Sequence, residues 1–401
     1  MADALITYGW NRIAYNALRS LTNVGADVVV GDMSARNMSF GSRRKPATFR
    51  YESFYENPAR FVDQVCEAIV AHRPKVYLPM HEETFIVARH IDRFRDLGVE
   101  VPITHFDNLK RVHKKNTLNM VAEAAGVPVP RHVHPTSLDD LPAVWDALAE
   151  RAGAVVIKML NTNSAKGVSY AHSKADFVRD YKDLVQAQDL TPDLYPVVQE
   201  YVAGVGVGVS QLYNHGVLKA SFTHQRLREK THTGGTSTAR ISARNPQLEA
   251  FSTQLLTHLK WHGVVMTEYK FNPETGQGWL IDVNPRFWGS LALAIRSGVD
   301  FPLLAYRMAR DGDVDPVLDY KEGVVVRWLL GDMLAAASTA KHQRSLGPLL
   351  KFFTHKQDGF DDCFADDPLA LLRETTYYLG KLVKTRSVNP TEDALLDVDT
   401  L

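Results

Sequence analysis

Cysteine is scarce: Cys66 and Cys363 are the only two in 401 residues. They lie far apart, with neither a CxxC pair nor a metal-like spacing, so a disulfide scaffold and a zinc knuckle are both excluded as readings. Packing is their expected role, and a reducing cytoplasm the expected compartment. Charge of one sign is not in excess either, with 46 Lys plus Arg against 46 Asp plus Glu, which removes the electrostatic case for a nucleic-acid partner. No apolar run is long enough to span a bilayer, and the opening MADALITYGW has no basic stretch followed by a long apolar one. Small molecules are left as the expected partners. A dinucleotide fingerprint is missing as well, because Gly9 stands alone after the first strand-like segment where three spaced glycines would be needed, despite Asp32 closing the second. HEETF at residue 81 is not HExxH, and the acidic run DDCFADD near 361 reads as a solvated helix start, so no zinc is assigned.

What is present is 45% hydrophobic and 23% charged, ordinary for a globular chain long enough for two or three domains. Over residues 1–105, ALITYG, ADVVVGDM and KVYLPM read as buried strands, and RIAYNALRSL and NPARFVDQVCEAIVAH as helices. This is the βαβ rhythm of a parallel sheet. From about 106 the texture changes to one helix, NLKRVHKKNTLNMVAEAA, ended by Gly126 and the extended VPVPRHV, where HVH is a loop. Strand candidates then come in runs (AVVIKML, SYAHS, PVVQEYV, GVSQLY, GVVMTEYKF, GWLIDV), which points to α+β architecture over 106–307. Beyond 308 the chain reads as mainly helical from GVVVRWLLGDMLAAAS onward, ending in a polar, disordered tail from 386.

The stretch GWLIDVNPRFWGS carries the strongest chemical signal. Residues two apart on a strand share a face, so Asp282 and Asn284 present their oxygens side by side. If GVVMTEYKF pairs with it as an antiparallel hairpin, a register joining Phe271 to Trp279 sets Glu268 opposite Asp282. Two facing carboxylates repel unless something positive lies between them, and Mg²⁺, which prefers carboxylate and amide oxygens, fits. Arg286 would point into the same region and hold an anionic oxygen by a forked contact. The plainer alternative is a turn, with Asp282 and Asn284 in their ordinary role before a proline and Glu268 solvated on an edge. In FTHQRLREKTHTGGTSTAR, positions His224, Arg226, Arg228 and Lys230 would share one face of a strand ahead of Gly234 and Gly235. That would build a cationic wall, or else only a basic solvated edge.

Taken together, these residues resemble the ATP-grasp superfamily, whose metal-binding strand commonly shows acid-x-Asn-x-Arg after an acid on the preceding strand. The resemblance runs from about residue 1 to 305. It implies a Rossmann-like pre-ATP-grasp domain (1–105), a two-lobed ATP-grasp domain (106–200 and 201–307) and a helical C-terminal region (308–401). It further implies that Lys115, before a helix ending in G-x-P-x-P, and Lys158, on VVIKML, contact ATP phosphates. NTNSAKGVSY stands where the family has a phosphate-covering loop, with its glycine content reduced here to Gly167. VVQEYVAG, with Gln199, Glu200, Tyr201 and Val202, stands where the lobes join and adenine is met.

The order of segments looks most like the carboxylate-amine ligase branch, which includes enzymes of the D-aspartate ligase type. The resemblance implies ATP with Mg²⁺, or Mn²⁺, held by Glu268, Asp282 and Asn284. It also implies an acylphosphate intermediate, with Arg286, Arg226 and Arg228 at the reacting oxyanion and His224, Lys230, Gly234 and Gly235 binding the substrate. The expected substrates are a small carboxylate and an amine, and a homodimer is expected by analogy. A small-molecule kinase or carboxylate-thiol ligase would use the same residues. A nucleotide-sensing protein without turnover is the reading of another class.

Overall fold

The computed structural model describes residues 1–401 except 45, 151, 161–166, 232–233, 355, 386–395, 397 and 400. Its strands form three sheets. The first is parallel and four-stranded, in the order Ala47–Arg50, Val28–Asp32, Ala4–Ile6, Val76–Leu78. The last three are the strands expected from their fully buried valine and leucine runs. Ala47–Arg50 was not foreseen, because as a mostly exposed edge strand it lacks that apolar signature. Asn11 and Asn57 start the two expected helices, Arg12–Asn23 and Pro58–His72, by accepting the N–H groups of Ile13 and Arg60.

The expected single helix after residue 106 is two, Phe106–His113 and Lys115–Ala124. Lys114 between them is extended (φ −71°, ψ 127°), and this break turns Lys115 into the first residue of a new helix. A small antiparallel sheet follows, in the order His132–Val133, Val197–Glu200, Val155–Lys158, Val168–Ala171. HVH is thus partly a strand rather than a loop. This sheet and the helices Leu141–Leu148 and Lys174–Ala187 enclose a separate core around Val155, Ile157, Phe177, Tyr181 and Val198.

The third sheet has seven strands, beginning Gln277–Asn284, Gly263–Asn272, Val205–Asn214, Val217–Thr231, Gly234–Ser242. It ends with Val325–Arg327 and Gly359–Phe360. The segment GVVVRW therefore opens as a strand, so the sheet runs on into the region expected to be helical. The helices Leu329–Gln343, Gly347–Thr354 and Pro368–Thr385 supply the rest. One hydrophobic core joins the parallel sheet, the long sheet and parts of this C-terminal region. Of the expected disordered tail, 386–395 lie outside the described residues. Leu396 and Val398 are buried, and Asp399 is paired with Lys110 and Lys114. Among the described residues no helix is long and apolar enough to cross a membrane.

The run DDCFADD is not a solvated helix start. Asp361, Asp362 and Asp367 are fully buried. Asp361 meets Arg240 at 2.5 Å and Arg12 at 3.4 Å, and Asp362 accepts the backbone N–H groups of Leu329 and Leu330. Asp367 accepts from Tyr15 and Ser42. The acids are buried because each neutralises or caps a group from another unit, the condition under which a charge can leave water.

Candidate functional site

The hairpin Gly263–Asn272/Gln277–Asn284 sets Glu268 directly opposite Asp282 and Met266 opposite Asn284. Directly opposed residues lie on one face, and so do residues two apart, so Glu268, Asp282 and Asn284 share theirs. The expected partnering of Phe271 with Trp279 is not found: Phe271 pairs with Gly278 and Lys270 with Trp279. The register shifts between Glu268 and Tyr269, with Ile281 as the extra residue on the facing strand. A bulge of this kind at a site re-aims side chains and ends regular pairing.

The row continues across the sheet. Glu268 pairs with Gly208, Gly208 with His224, and His224 with Ser242. A Cβ on Gly208 would lie 2.4 Å from the His224 ring, and one on Gly206 would lie 2.8 Å from Cδ of Arg226. The glycines of GVGVGV thus clear one face for a histidine and an arginine, while Val207 and Val209 are buried. Gly208→Ala is therefore expected to push His224 off Ser290 Oγ, 3.2 Å away, and to destabilise the fold by about 1–3 kcal/mol through overpacking. Thermal melting of the variant checks this, and an unchanged melting temperature would contradict it.

Each acid of the row has a cation. Lys115 Nζ donates to Asp282 Oδ1 at 2.5 Å, and Arg226 Nη2 meets Glu268 Oε2 at 2.6 Å. Asn284 Nδ2 donates to Glu268 Oε1 at 3.1 Å. Burial works to raise the Asp282 carboxyl, but Lys115, Lys158 and the Val283 N–H outweigh it and hold the group below the usual range. Lys158, buried on the small sheet, donates to the Ile281 carbonyl at 3.2 Å. Burial and the nearby Lys115 charge push its ammonium down to about 8, against the opposing pull of Asp282 and Glu268. Two lysines from outside the long sheet thus converge on one acid-bearing strand.

The expected cationic wall does not form as an alternating row. Register shifts follow Arg226, Arg228 and Glu229 where this strand pairs with Gly234–Ser242. Arg226 turns to Glu268 and Glu229, whereas Arg228 meets buried Asp332 at 2.9 Å, an acid it shares with Arg327 and Thr238. His224 is buried and held neutral, first by burial and then by Arg240 and Arg226. The side chain of Lys230 and the segment 161–166 lie outside the described residues. Gly167, at their edge, has φ +64° and its carbonyl accepts from Met159. Gly234 pairs with Thr231, and Gly235 (φ +114°) turns its carbonyl to Arg226 at 3.5 Å.

On the small sheet Gln199 reaches Asn119 at 3.4 Å, and the Glu200 carboxylate accepts from the backbone and side chain of Arg131. The backbone N–H groups of Glu200 and Tyr201 go to Arg131 and Ala154. Beyond them Tyr201 is exposed and Val202 partly so.

Arg286 is buried, donates to the Phe287 carbonyl at 2.9 Å and lies 3.7 Å from Glu82. Glu82 and His113 were not singled out from the sequence. They line one cavity with Phe85, Lys115, Asp282 and Arg286. The available signals were HEETF at the carboxyl end of a parallel strand, and a histidine two residues before the expected phosphate lysine. The donor set itself fits a hard divalent ion: two carboxylates and an amide oxygen on one face, both acids partly open to solvent.

Residues 195–331 match the family described as ATP-grasp in the biosynthetic pathway with Ter operon. Similar solved structures include the β-γ-ATP complex of biotin carboxylase from Campylobacter jejuni, at 13% identity. The match covers 81% of this chain and 74% of that one, with a TM-score of 0.66. The biotin carboxylase domain of Hydrogenobacter thermophilus 2-oxoglutarate carboxylase, solved with MgADP, ADP and bicarbonate, is 12% identical (81% and 73% covered, TM-score 0.65). N5-carboxyaminoimidazole synthetase from Staphylococcus aureus, complexed with ADP, is 14% identical (86% of each chain, TM-score 0.64). No curated protein matches the sequence.

Proposed function

We propose that this chain, a member of the ATP-grasp superfamily, is a ligase that spends ATP to join a small carboxylate to an amine. The observation that carries this reading is the convergence of Lys115 and Lys158 on a strand whose Asp282 and Asn284 stand beside Glu268. Glu268, Asp282 and Asn284 would hold Mg²⁺, with Mn²⁺ as a substitute, and the ion when bound would neutralise phosphate charge. Lys115 and Lys158 would bind the triphosphate, and its charge would hold the Lys158 ammonium protonated. Backbone groups at Val202, beyond the engaged donors of Glu200 and Tyr201, would meet the base.

The substrate carboxylate oxygen attacks the γ-phosphorus, and the bond to the bridging oxygen breaks to release ADP. The chain's task at this step is alignment and charge stabilisation, which are most of what phosphoryl transfer needs. The amine, bound as an ammonium, first loses one proton to solvent; its freed lone pair attacks the acyl carbon, phosphate leaves with the activated oxygen, and a second proton passes from nitrogen to phosphate. Arg286 would stabilise the oxyanion that develops. Arg226, which pairs with Glu268 and Glu229, would do the same where Glu268 holds an ion instead, a contact often worth about 3–4 kcal/mol. Arg228, engaged by Asp332, would support that face from behind rather than touch the oxyanion. His224 with Ser290 would line the substrate side of the row.

ADP release measured with pooled carboxylates, with and without pooled amino acids, tests the reading. Release that requires an amine is expected. Release with carboxylate alone would make the protein a kinase, thiol-dependent release a thiol ligase, and silence in every pool a nucleotide sensor. We also propose a cytoplasmic location and small-molecule partners, with a homodimer as the assembly.

A further inference from the structure

The cavity beside the metal strand is built from three units. Glu82 and Phe85 come from the loop and helix after the strand Val76–Leu78, and His113 and Lys115 from the broken helix pair. Asp282 and Arg286 come from the hairpin and the segment after it. In the order of the parallel sheet, Ala4–Ile6 lies between Val28–Asp32 and Val76–Leu78. The chain thus reverses its direction of winding between Ala4–Ile6 and Val76–Leu78, and open parallel sheets bind ligands at the carboxyl ends of strands flanking such a reversal. Glu82 stands at that end.

The cavity's charges are balanced, with Glu82 and Asp282 against Lys115 and Arg286. Its polar surface is nonetheless incomplete. His113 is more than nine-tenths buried, and its Nε2 has no hydrogen-bond partner among the described residues. An unsatisfied buried polar atom costs free energy, and one lining a cavity at a site calls for a ligand. The Arg286–Glu82 contact, at 3.7 Å, is too long for a good charge-assisted hydrogen bond.

We propose that this cavity seats the amine substrate as a cationic or zwitterionic amine, its ammonium received by the Glu82 carboxylate and by the Nε2 lone pair of His113. The inference rests on the ligase reading and specifies which residues select the nucleophile. A neutral imidazole suits the task, because a protonated one would repel an ammonium. The setting keeps it neutral: burial first, then Lys115, Arg286 and Lys114 against Asp282, push the His113 imidazole down to about 3. Phe85 meets that ring edge-on, with centroids 4.8 Å apart, and fixes its plane. Arg286, 3.7 Å from Glu82 in the same cavity, has N–H donors beyond the one given to the Phe287 carbonyl and would take a carboxylate on the amine as well as the developing oxyanion, so an amino acid fits better than a simple alkylamine.

The test compares two nucleophiles in wild-type protein and in Glu82→Gln, Glu82→Asp and His113→Gln. One is the productive amino acid from the pooled assay. The other is hydroxylamine, which is small and largely uncharged at neutral pH and traps an acylphosphate as a hydroxamate. Each variant's melting temperature is recorded alongside. The ratio of kcat/KM for the amino acid to that for hydroxylamine is expected to fall at least tenfold in Glu82→Gln and several-fold in His113→Gln, mainly through KM. Glu82→Asp is expected to recover part of the loss. A ratio equal to wild type in both Gln variants, with the two nucleophiles slowed together, would assign these residues to structure and overturn the inference while leaving the ligase reading intact. If wild-type protein releases no ADP with either nucleophile, the ligase reading falls and the amine seat with it.

Discussion

Asp282→Ala is expected to reduce ADP formation to less than about a thousandth of wild type, since charge stabilisation and alignment are nearly all a protein supplies to phosphoryl transfer. Asp282 stands directly opposite Glu268, and its carboxylate is where Lys115 and Lys158 both exert their pull. Lys115 neutralises this acid at 2.5 Å. Asp282 would hold the ion of a magnesium nucleotide, and Lys115 would then bind its phosphates. Removing the carboxylate would delete the proposed ion ligand and leave Lys115 without its carboxylate partner. The side chain is partly exposed, so the fold should survive. The companion Asp282→Asn preserves shape and isolates the charge. Steady-state ADP release and far-ultraviolet circular dichroism check both halves, and normal turnover in either variant would remove Asp282 from the metal set.

The largest effect on stability is expected at Asp361, far in sequence from the site. Its carboxylate is fully buried, 2.5 Å from Arg240 of the long sheet and 3.4 Å from Arg12 of the first helix. Arg12 also lies over the Trp328 ring at 4.0 Å, and Arg240 donates to the Gly289 carbonyl beside the candidate site. Asp361→Ala strands two buried guanidinium groups, and breaking a buried pair by removing one partner costs about 3–5 kcal/mol. Denaturant unfolding should show that loss. Because Arg240 would also lose its hold near Gly289, any residual folded protein should turn over more slowly. A variant as stable as wild type would mean that Asp361 is dispensable to the joint between the parallel sheet, the long sheet and the C-terminal region.

The contrast between these two acids shows which features could be read from sequence. Asp282 and Asn284 were legible because a strand's two-residue period fixes their common face; Glu268 faces Asp282 as expected, but only a shift at Ile281 brings it there from the Phe271–Gly278 pairing at the loop end. That shift was not legible, since where a bulge falls depends on packing against the rest of the sheet. Gly278 opposite Phe271 has no room for a side chain, as a Cβ there would lie 2.4 Å from Leu248. Three of the four strands of the parallel sheet announced themselves by apolar runs buried on both faces; the exposed edge strand Ala47–Arg50 did not. DDCFADD misled because charged runs usually stay in water, and its partner Arg240 lies 121 residues earlier in the chain. The cationic row at 224–230 failed for a similar reason. Alternation assumes an unbroken strand, and here register shifts and the remote acid Asp332 divide the arginines. Glu82 and His113 carry no motif, and only the fold brings them to the same cavity.

Diffraction from crystals grown with Mn²⁺ and a non-hydrolysable ATP analogue, recorded at the manganese absorption edge, would locate both the ion and the nucleotide. An anomalous peak bonded to oxygens of Glu268, Asp282 and Asn284 and to the analogue's phosphates is expected, with Lys115 released from Asp282. A nucleotide bound elsewhere, or bound here with the manganese away from those three side chains, would contradict the proposed site.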